Sequence, residues 1–409
     1  MFHPHQNLPT RLPGRELSNR RRGFRLALAG WLFVLACPML GWSQTPQSSG
    51  SDRPLPVVVS PEAAEIHRSG LLFDGHNDLP WRLREEANSS FAKCDLRQPQ
   101  PGMHTDIERL RQGGVKAQFW SVYVPVSTAL GNESFLTTMQ QIDLVHAMCQ
   151  QYPEVFEIAL TSEDVRRITA AGKIASLMGV EGGHSIENSL ANLQRLYDRG
   201  ARYMTLTHSK NTPWADSCSD EPKCNGLSDF GREVVREMNR IGMLVDISHV
   251  SPKTMHDVLD TTRAPVIFSH SSVKAVCDHP RNVPDDVLAR LPENGGVVMI
   301  NFFSRFVVPT AEGPQDESRR GTIHDVVDHI AHAVKIAGVD HVGLGSDFDG
   351  ITSTPVGLED VATYPAITQL LLERGFDREG IHKILGGNVL RAMAQAELVA
   401  KQLQDATGE

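Results

Sequence analysis

The chain has 409 residues, 40% hydrophobic and 22% charged, an ordinary globular composition. Residues 1–43 hold six Arg against one Glu, a net +5, so the rest of the −9 chain carries −14. That acidity argues against a nucleic-acid partner, which needs a basic face, and six cysteines in a chain this long do not make a disulfide framework.

In chain order the first feature is a leader. Arg20-Arg21-Arg22-Gly23-Phe24-Arg25 precedes the apolar run Leu26 to Trp42, with small and polar residues from Ser43. A basic start, an apolar middle and Gly41-x-Ser43 make a secretory signal of residues 1–43. Arg21-Arg22-Gly23-Phe24 also has the form of a twin-arginine signal. Val34-Leu35-Ala36-Cys37 has that of a lipoprotein box, ranked lower because apolar residues continue past Cys37. An uncleaved anchor is a further reading, since 17 apolar residues stand at the lower limit for a span. Each reading predicts an exported protein of a bacterial periplasm or cell envelope, touching a membrane only through an uncleaved or lipidated leader.

Residues 44–60 are rich in Pro and Ser and read as a linker. From 61 to 400, apolar β-type runs alternate with amphipathic helical patterns. The predicted strands are Leu71–Asp74, Lys116–Val124, Ile174–Val180, Tyr203–Thr207, Leu244–Ser248, Pro265–Ser269, Gly296–Asn301 and His341–Gly345. Helical patterns between them include Ile186–Arg199, Asp229–Ile241, Pro252–Asp260 and Ile323–Ala337. Strands that are continuous apolar runs separated by helices predict a parallel sheet covered on both faces. Eight such units predict an α/β protein with a single (β/α)8 TIM-type barrel, whose site lies at the C-terminal strand ends. An open doubly wound sheet would need a nucleotide-type glycine turn after the first strand, which the sequence lacks. The chain closes on a polar tail, 401–409, with no hydrophobic segment to exchange for a lipid anchor.

Polar residues recur at the strand ends. The first ends in His76 and Asp78, the third in Glu181 and His184, the fourth in His208. The fifth ends in Asp246 and His249, the sixth in His270 and the eighth in Asp347 and Asp349, while the second and seventh offer weaker candidates. In a barrel these ends meet at one mouth. Carboxylates so crowded would have to hold protons unless cations sat among them, and two divalent metals would also bind the neutral imidazoles. A single His at a strand end is more often a hydrogen-bonded core residue, so the shared position carries the reading. His324, Asp325, Asp328, His329 and His332 also have ligand-like spacings, but they fall in the amphipathic pattern of Ile323, Val326, Val327, Ile330 and Val334 and read as a solvated face.

Several stretches carry a family resemblance. They are Asp74-Gly75-His76-Asn77-Asp78, Gln118-Phe119-Trp120-Ser121-Val122-Tyr123, and Gly179-Val180-Glu181-Gly182-Gly183-His184-Ser185. Further on come Leu206-Thr207-His208-Ser209, Asn211-Thr212-Pro213-Trp214-Ala215-Asp216 and Asp246-Ile247-Ser248-His249-Val250-Ser251. Phe268-Ser269-His270-Ser271-Ser272, Arg281-Asn282-Val283-Pro284-Asp285-Asp286 and Asp347-Phe348-Asp349-Gly350 complete the set. From Ala64 to Leu398 the chain resembles the membrane (renal) dipeptidases, zinc peptidases of the amidohydrolase-like barrel group. The resemblance implies two Zn2+ per chain, one on His76 and Asp78, the other on His249 and His270. Glu181 and a water or hydroxide would bridge them, where other barrel relatives often use a carbamylated lysine. It implies that His208 binds substrate beside the scissile carbonyl and takes part in catalysis, that Arg281 holds the substrate carboxylate, and that Asp347 transfers the proton. The implied substrates are dipeptides with an L-residue first and an L- or D-residue second.

Animal relatives carry a C-terminal lipid anchor and an intersubunit cysteine that this chain lacks, so a homodimer is left open. Cys218 and Cys224 flank a short loop and read either as a disulfide or as two free thiols. Two rival functions stand beside the leading one. Another barrel hydrolase, a lactonase or deaminase, would have been favoured by His-x-His in the first strand or by a bridging lysine. A metal-containing binding protein without catalysis would lack a ligand or Asp347.

Overall fold

A computed structural model describes residues 53–309 and 320–408, so the leader at 1–43, Cys37 and the linker up to residue 52 lie outside the described residues. Nine parallel strands form one sheet: β1 (Leu72–Asn77), β2 (Val115–Ser121), β3 (Phe156–Ile158), β4 (Ile174–Val180), β5 (Ala201–Thr205), β6 (Leu244–Asp246), β7 (Val266–Phe268), β8 (Val297–Ile300) and β9 (Val342–Leu344). Their order is β2-β1-β9-β8-β7-β6-β5-β4-β3, and β2 also pairs with β4, from Ala117↔Ala175 to Ser121↔Gly179. That pairing closes an eight-stranded (β/α)8 barrel. The remaining strand, β3, is one the apolar runs did not predict. It pairs with the first half of β4, from Phe156↔Ile174 to Ile158↔Ser176, while β5 pairs with the second half. Three residues are too short a run to stand out in a sequence.

Most strands stop one to three residues short of the predicted ends, because the last residues leave the sheet to line the mouth. Inside the barrel, Phe73, Phe119, Leu177, Tyr203, Leu244, Ile267 and Met299 form one apolar cluster with Val389, Met393 and Ala396 of the helix Asn388–Thr407. The C-terminal segment lies at the N-terminal end of the strands, since a Cβ on Gly386 would sit 2.3 Å from the Leu71 carbonyl oxygen. A fully buried side chain of this size stabilises by about 1.5–3 kcal/mol. The inner layer is thus a packed plug, and the opposite, C-terminal end of the barrel is left for polar groups.

Two boundaries and one helix face differ from the sequence reading. Residues 53–60 are tied to the barrel: Arg53 Nη1 lies 2.6 Å from Asp328 Oδ2, and the Ser60 N–H donates to Gln369 Oε1 at 2.9 Å. Residues 401–407 continue the last helix, and Gln404 Nε2 donates to the Arg240 carbonyl at 2.7 Å, so the barrel unit does not end at 400. The helix Ile323–Ala337 does not carry its ionisable residues on a solvated face. His324 and His329 are buried, Asp328 pairs with Arg53 and Arg374, and His332 pairs with Asp285.

His329 links two loops of the mouth. Its Nδ1 accepts the Val273 N–H at 2.9 Å, and its Nε2 lies 2.9 Å from the Val307 carbonyl, so the ring is the neutral Nε2–H tautomer. Burial pushes its pKa down from 6.5 to about 4. Between those values the unfolded chain holds a proton that the folded chain refuses, so stability is full above pH 6.5 and falls as the pH drops toward 4. The slope from this residue is about 1.4 kcal/mol per pH unit. His329→Gln should lower stability at neutral pH and flatten its acid dependence in that window, read from urea midpoints; an unchanged slope would contradict the assignment.

Candidate active site

The mouth is built outward from β1. His76 is fully buried, its Nδ1 2.7 Å from Tyr203 Oη, and its Nε2 has no hydrogen-bond partner. Asp78 leaves the strand as the residue before the helix Leu79–Ala87, its N–H held by the Phe348 carbonyl at 2.8 Å. The two side chains point together, as the i, i+2 spacing predicts: His76 Nε2 lies 3.2 Å from Asp78 Oδ2.

Glu181, just past β4, sits between two groups of imidazoles. Its Oε2 lies 3.6 Å from His76 Nε2, and its Oε1 lies 3.1 Å from His249 Nε2, 3.5 Å from His270 Nε2 and 3.8 Å from His208 Nε2. The Nε2 atoms of His249 and His270 are 2.9 Å apart. Donor atoms of His76, Asp78 and Glu181, of Glu181, His249 and His270, and of His76, His270 and Asp347 each lie within 4.8 Å of one another.

Electrostatics separates these groups. Burial works against the charge on Glu181, but His76, His208 and His249 around it hold its carboxyl well below the usual range. Burial also opposes charge on His76, yet Tyr203, Asp78 and Glu181 draw its pKa well above the ordinary value. Burial, and Arg281 nearby, keep His249 and His270 neutral, the form that ligates metal. Burial pushes Asp347 up to about 8, the Asp78 and Glu181 charges adding to it against the pull of His76. The site thus attracts positive charge, and with protons alone His76 and Asp347 take it up. A divalent cation fits this donor set: the unpartnered Nε2 of His76 is buried and aimed at two carboxylates, and the donors are imidazole nitrogen and carboxylate oxygen.

Backbone geometry at the strand ends is unusual. His249, Asp347 and Asp349 have φ of 65°, 66° and 66°, the left-handed region. Such positions cost about 1–3 kcal/mol each and cluster at functional sites. Asp347 Oδ2 accepts from Asn301 Nδ2 at 2.8 Å, which makes Asn301 the contribution of the strand β8. The other weak strand, β2, contributes Ser121, whose hydroxyl donates to Glu181 Oε2 at 3.3 Å, and leads on to Tyr123.

These groups open into a cavity of about 670 Å³. Trp81 and Tyr123 meet edge to face on one side, with Tyr123 also against His208. Phe303, Phe306 and Arg281 form the other. The buried Arg281 donates from Nη1 to Ser271 Oγ and from Nη2 to the His270 carbonyl, while its Nε has no partner. His208 likewise has an unpartnered Nδ1.

All eight residues singled out as ligands, catalytic or substrate-binding groups fall here: His76, Asp78, Glu181, His208, His249, His270, Arg281 and Asp347. Three other strand-end candidates stand outside the ligand groups. His184 turns aside, its Nε2 3.0 Å from the Val124 carbonyl. Asp246 lies beneath the mouth, accepting from Thr205, Ser248 and Ser269. Asp349 lines the cavity but clips a loop, its Oδ1 accepting the His104 N–H and its own N–H donating to His104 Nδ1. Sequence reasoning gave no role to Tyr203, Ser269, Asn301 or the aromatic walls. The one available signal was Gly179, whose missing side chain makes room for the Tyr203 ring. Cys218 and Cys224 are free thiols, as are the buried Cys94, Cys149 and Cys277.

A TIM-type barrel with a buried His/carboxylate cluster at its mouth defines a metal-dependent hydrolase of the barrel type. The sequence profile of the membrane dipeptidases, peptidase family M19, matches residues 61–407, and the chain belongs to that family. An uncharacterized dipeptidase of Schizosaccharomyces pombe is 46% identical over 339 residues, covering 80% of this chain and 81% of that protein. A probable dipeptidase from Pseudomonas aeruginosa superposes with a TM-score of 0.74 at 25% identity, over 83% of this chain and 98% of that one. A metallo peptidase from Rhodobacter sphaeroides, solved with a phosphinate mimic of the dipeptide L-Ala-D-Ala, has a TM-score of 0.71 at 26% identity, over 80% and 99% of the two chains. Family membership assigns the chain hydrolysis of dipeptides and a metal cofactor.

Gly350 tests the crowding of the mouth. A Cβ there would come 2.2 Å from Asp78 Oδ2 and 2.8 Å from Asp347 Oδ1. Gly350→Ala should displace Asp78 by about 1 Å and lower kcat/KM for a dipeptide roughly 10²-fold with the circular dichroism spectrum unchanged. Wild-type kinetics in that variant would refute the packing.

Proposed function

We propose that the protein is an exported dizinc dipeptidase cleaving L-Xaa–L-Xaa and L-Xaa–D-Xaa dipeptides. One observation carries this reading: the donor atoms of five side chains converge in one buried cluster, with Asp347 and Arg281 on the same cavity. His76 and Asp78 would hold one zinc, His249 and His270 the other, and Glu181, whose two oxygens face the two halves, would bridge them. Bound zinc lowers the pKa of water to about 7 and polarises a carbonyl, which supplies the nucleophile and the electrophile for amide hydrolysis.

The side chains supply the rest. Asp347, held through Oδ2 by Asn301, is placed to take the proton from the attacking water and deliver it to the leaving amine. His208 is placed to donate to the developing oxyanion, a contribution of about 10²–10³ in rate for one donor. Arg281 offers a planar fork to the substrate carboxylate. Its hydrogen bond to the His270 carbonyl ties that fork to a proposed ligand. Capture of the terminal carboxylate by Arg281 on the same cavity as the donor cluster would restrict cleavage to very short peptides. The L-Ala-D-Ala mimic on the Rhodobacter sphaeroides relative supports a D-residue in second place.

Purified protein loaded with zinc should hydrolyse L-Ala-L-Ala and L-Ala-D-Ala, spare tripeptides and lose activity to a chelator. Asp347→Asn should keep its zinc yet lose roughly 10²–10⁴ in kcat, and Arg281→Lys should act mainly through KM. Equal cleavage of tripeptides, or full activity in Asp347→Asn, would overturn the mechanism.

Export rests on the leader. Among the described residues no helix is long and apolar enough to cross a membrane. Cell fractionation and N-terminal mass spectrometry should find a chain beginning near residue 44 in the periplasm or envelope; a full-length cytosolic chain would exclude export.

A further inference from the structure

The two halves of the donor cluster are braced from behind by different chemistry. His76 rests on a phenol: its Nδ1 lies 2.7 Å from Tyr203 Oη, and both side chains are fully buried. The ring of Tyr203 occupies the space beside Gly179, where a Cβ would come 1.9 Å from Tyr203 Cζ. His270 rests on a carboxylate at one remove. Its Nδ1 lies 2.8 Å from Ser269 Oγ, and that hydroxyl donates to Asp246 Oδ2 at 2.6 Å. Asp246 is fully buried and also accepts from the Ser248 N–H at 3.0 Å, the Ser269 N–H at 2.9 Å and Thr205 Oγ1 at 2.6 Å, all neutral donors. With a cation held between Nε2 of each ring and Glu181, Nδ1 would be the protonated nitrogen in each, donating to Tyr203 Oη and to Ser269 Oγ.

We propose that Tyr203, and Ser269 with Asp246, are positioning residues that set the metal affinity of the two halves separately. Tyr203 acts on the half made by His76, Asp78 and Glu181, and the Ser269–Asp246 pair on the half made by Glu181, His249 and His270. This rests on the two-metal reading above. The first half has two carboxylates of its own, and a neutral brace holds its imidazole in place. The second has only Glu181, and the buried charge of Asp246, passed on through the Ser269 hydroxyl, makes the His270 nitrogen a stronger donor. The hydroxyl also fixes the ring so that its Nε2 faces the Glu181 side of the site and not the barrel interior.

The test is zinc affinity of the purified full chain, by competition with a chromophoric chelator, in two backgrounds that each keep one half. With His249→Ala, adding Tyr203→Phe should weaken the remaining zinc about 10- to 100-fold and adding Ser269→Ala should not. With Asp78→Asn the order should reverse, and Ser269→Thr, which keeps the hydroxyl, should restore tight binding. Both substitutions acting equally in both backgrounds, or neither shifting affinity by more than about twofold, would overturn the assignment. A wild type that takes up only one zinc defeats the two-metal reading itself, and with it the Ser269 assignment. The Tyr203 assignment is still decided by the His249→Ala background.

Discussion

A buried carboxylate surrounded by imidazoles governs this molecule. Glu181 lies within 4 Å of four histidine nitrogens, with Asp78 and Asp347 close by, in a space from which water is largely removed. Like charges at that distance in a low dielectric repel by several kcal/mol unless positive charge joins them. Two dispositions satisfy the cluster. Protons can settle on His76 and Asp347, or divalent cations can take their place while the imidazoles stay neutral. A site with that choice binds metal in competition with protons, so metal affinity and acidity are coupled through the same few atoms.

The barrel makes such a concentration of charge tolerable. Its parallel strands all deliver their C-terminal residues to one end, while the apolar plug of Phe73, Tyr203, Ile267 and Met299, extended by the last helix, fills the other. The stability of that plug allows local costs at the mouth. His249, Asp347 and Asp349 sit in left-handed backbone, and the proposed ligands and Asp347 are held by buried polar networks. Glycine at 179 and 350 marks where backbone and functional side chains approach too closely for any Cβ.

How far the sequence was legible depended on the range of the interaction. Strands and their polar ends are local patterns, and these appeared in the right places. Roles that depend on a partner from another element did not. His329 and His76 are both buried histidines, but one spans two backbone groups and the other aims a free nitrogen at carboxylates. Asp246 shares the strand-end signature of a ligand, yet two neutral side chains and two amides claim its oxygens. The helix Ile323–Ala337 misled for the same reason: its period is amphipathic, but loops from the mouth and the segment before residue 61 cover the face that would otherwise be solvated.

By itself the sequence determined the barrel, the end of it that carries the chemistry, and the set of residues available there, because alternation of apolar runs with helices leaves few topologies and every strand must end at the same face. The tertiary structure decided which of those residues meet, which oxygen of Glu181 faces which imidazole, and which carboxylates serve as braces. Those outcomes rest on short distances between residues more than a hundred positions apart in some pairs, such as His76 with Glu181 at 3.6 Å and with Tyr203 at 2.7 Å. No local pattern encodes such a distance; only the closing of β2 on β4 brings it about.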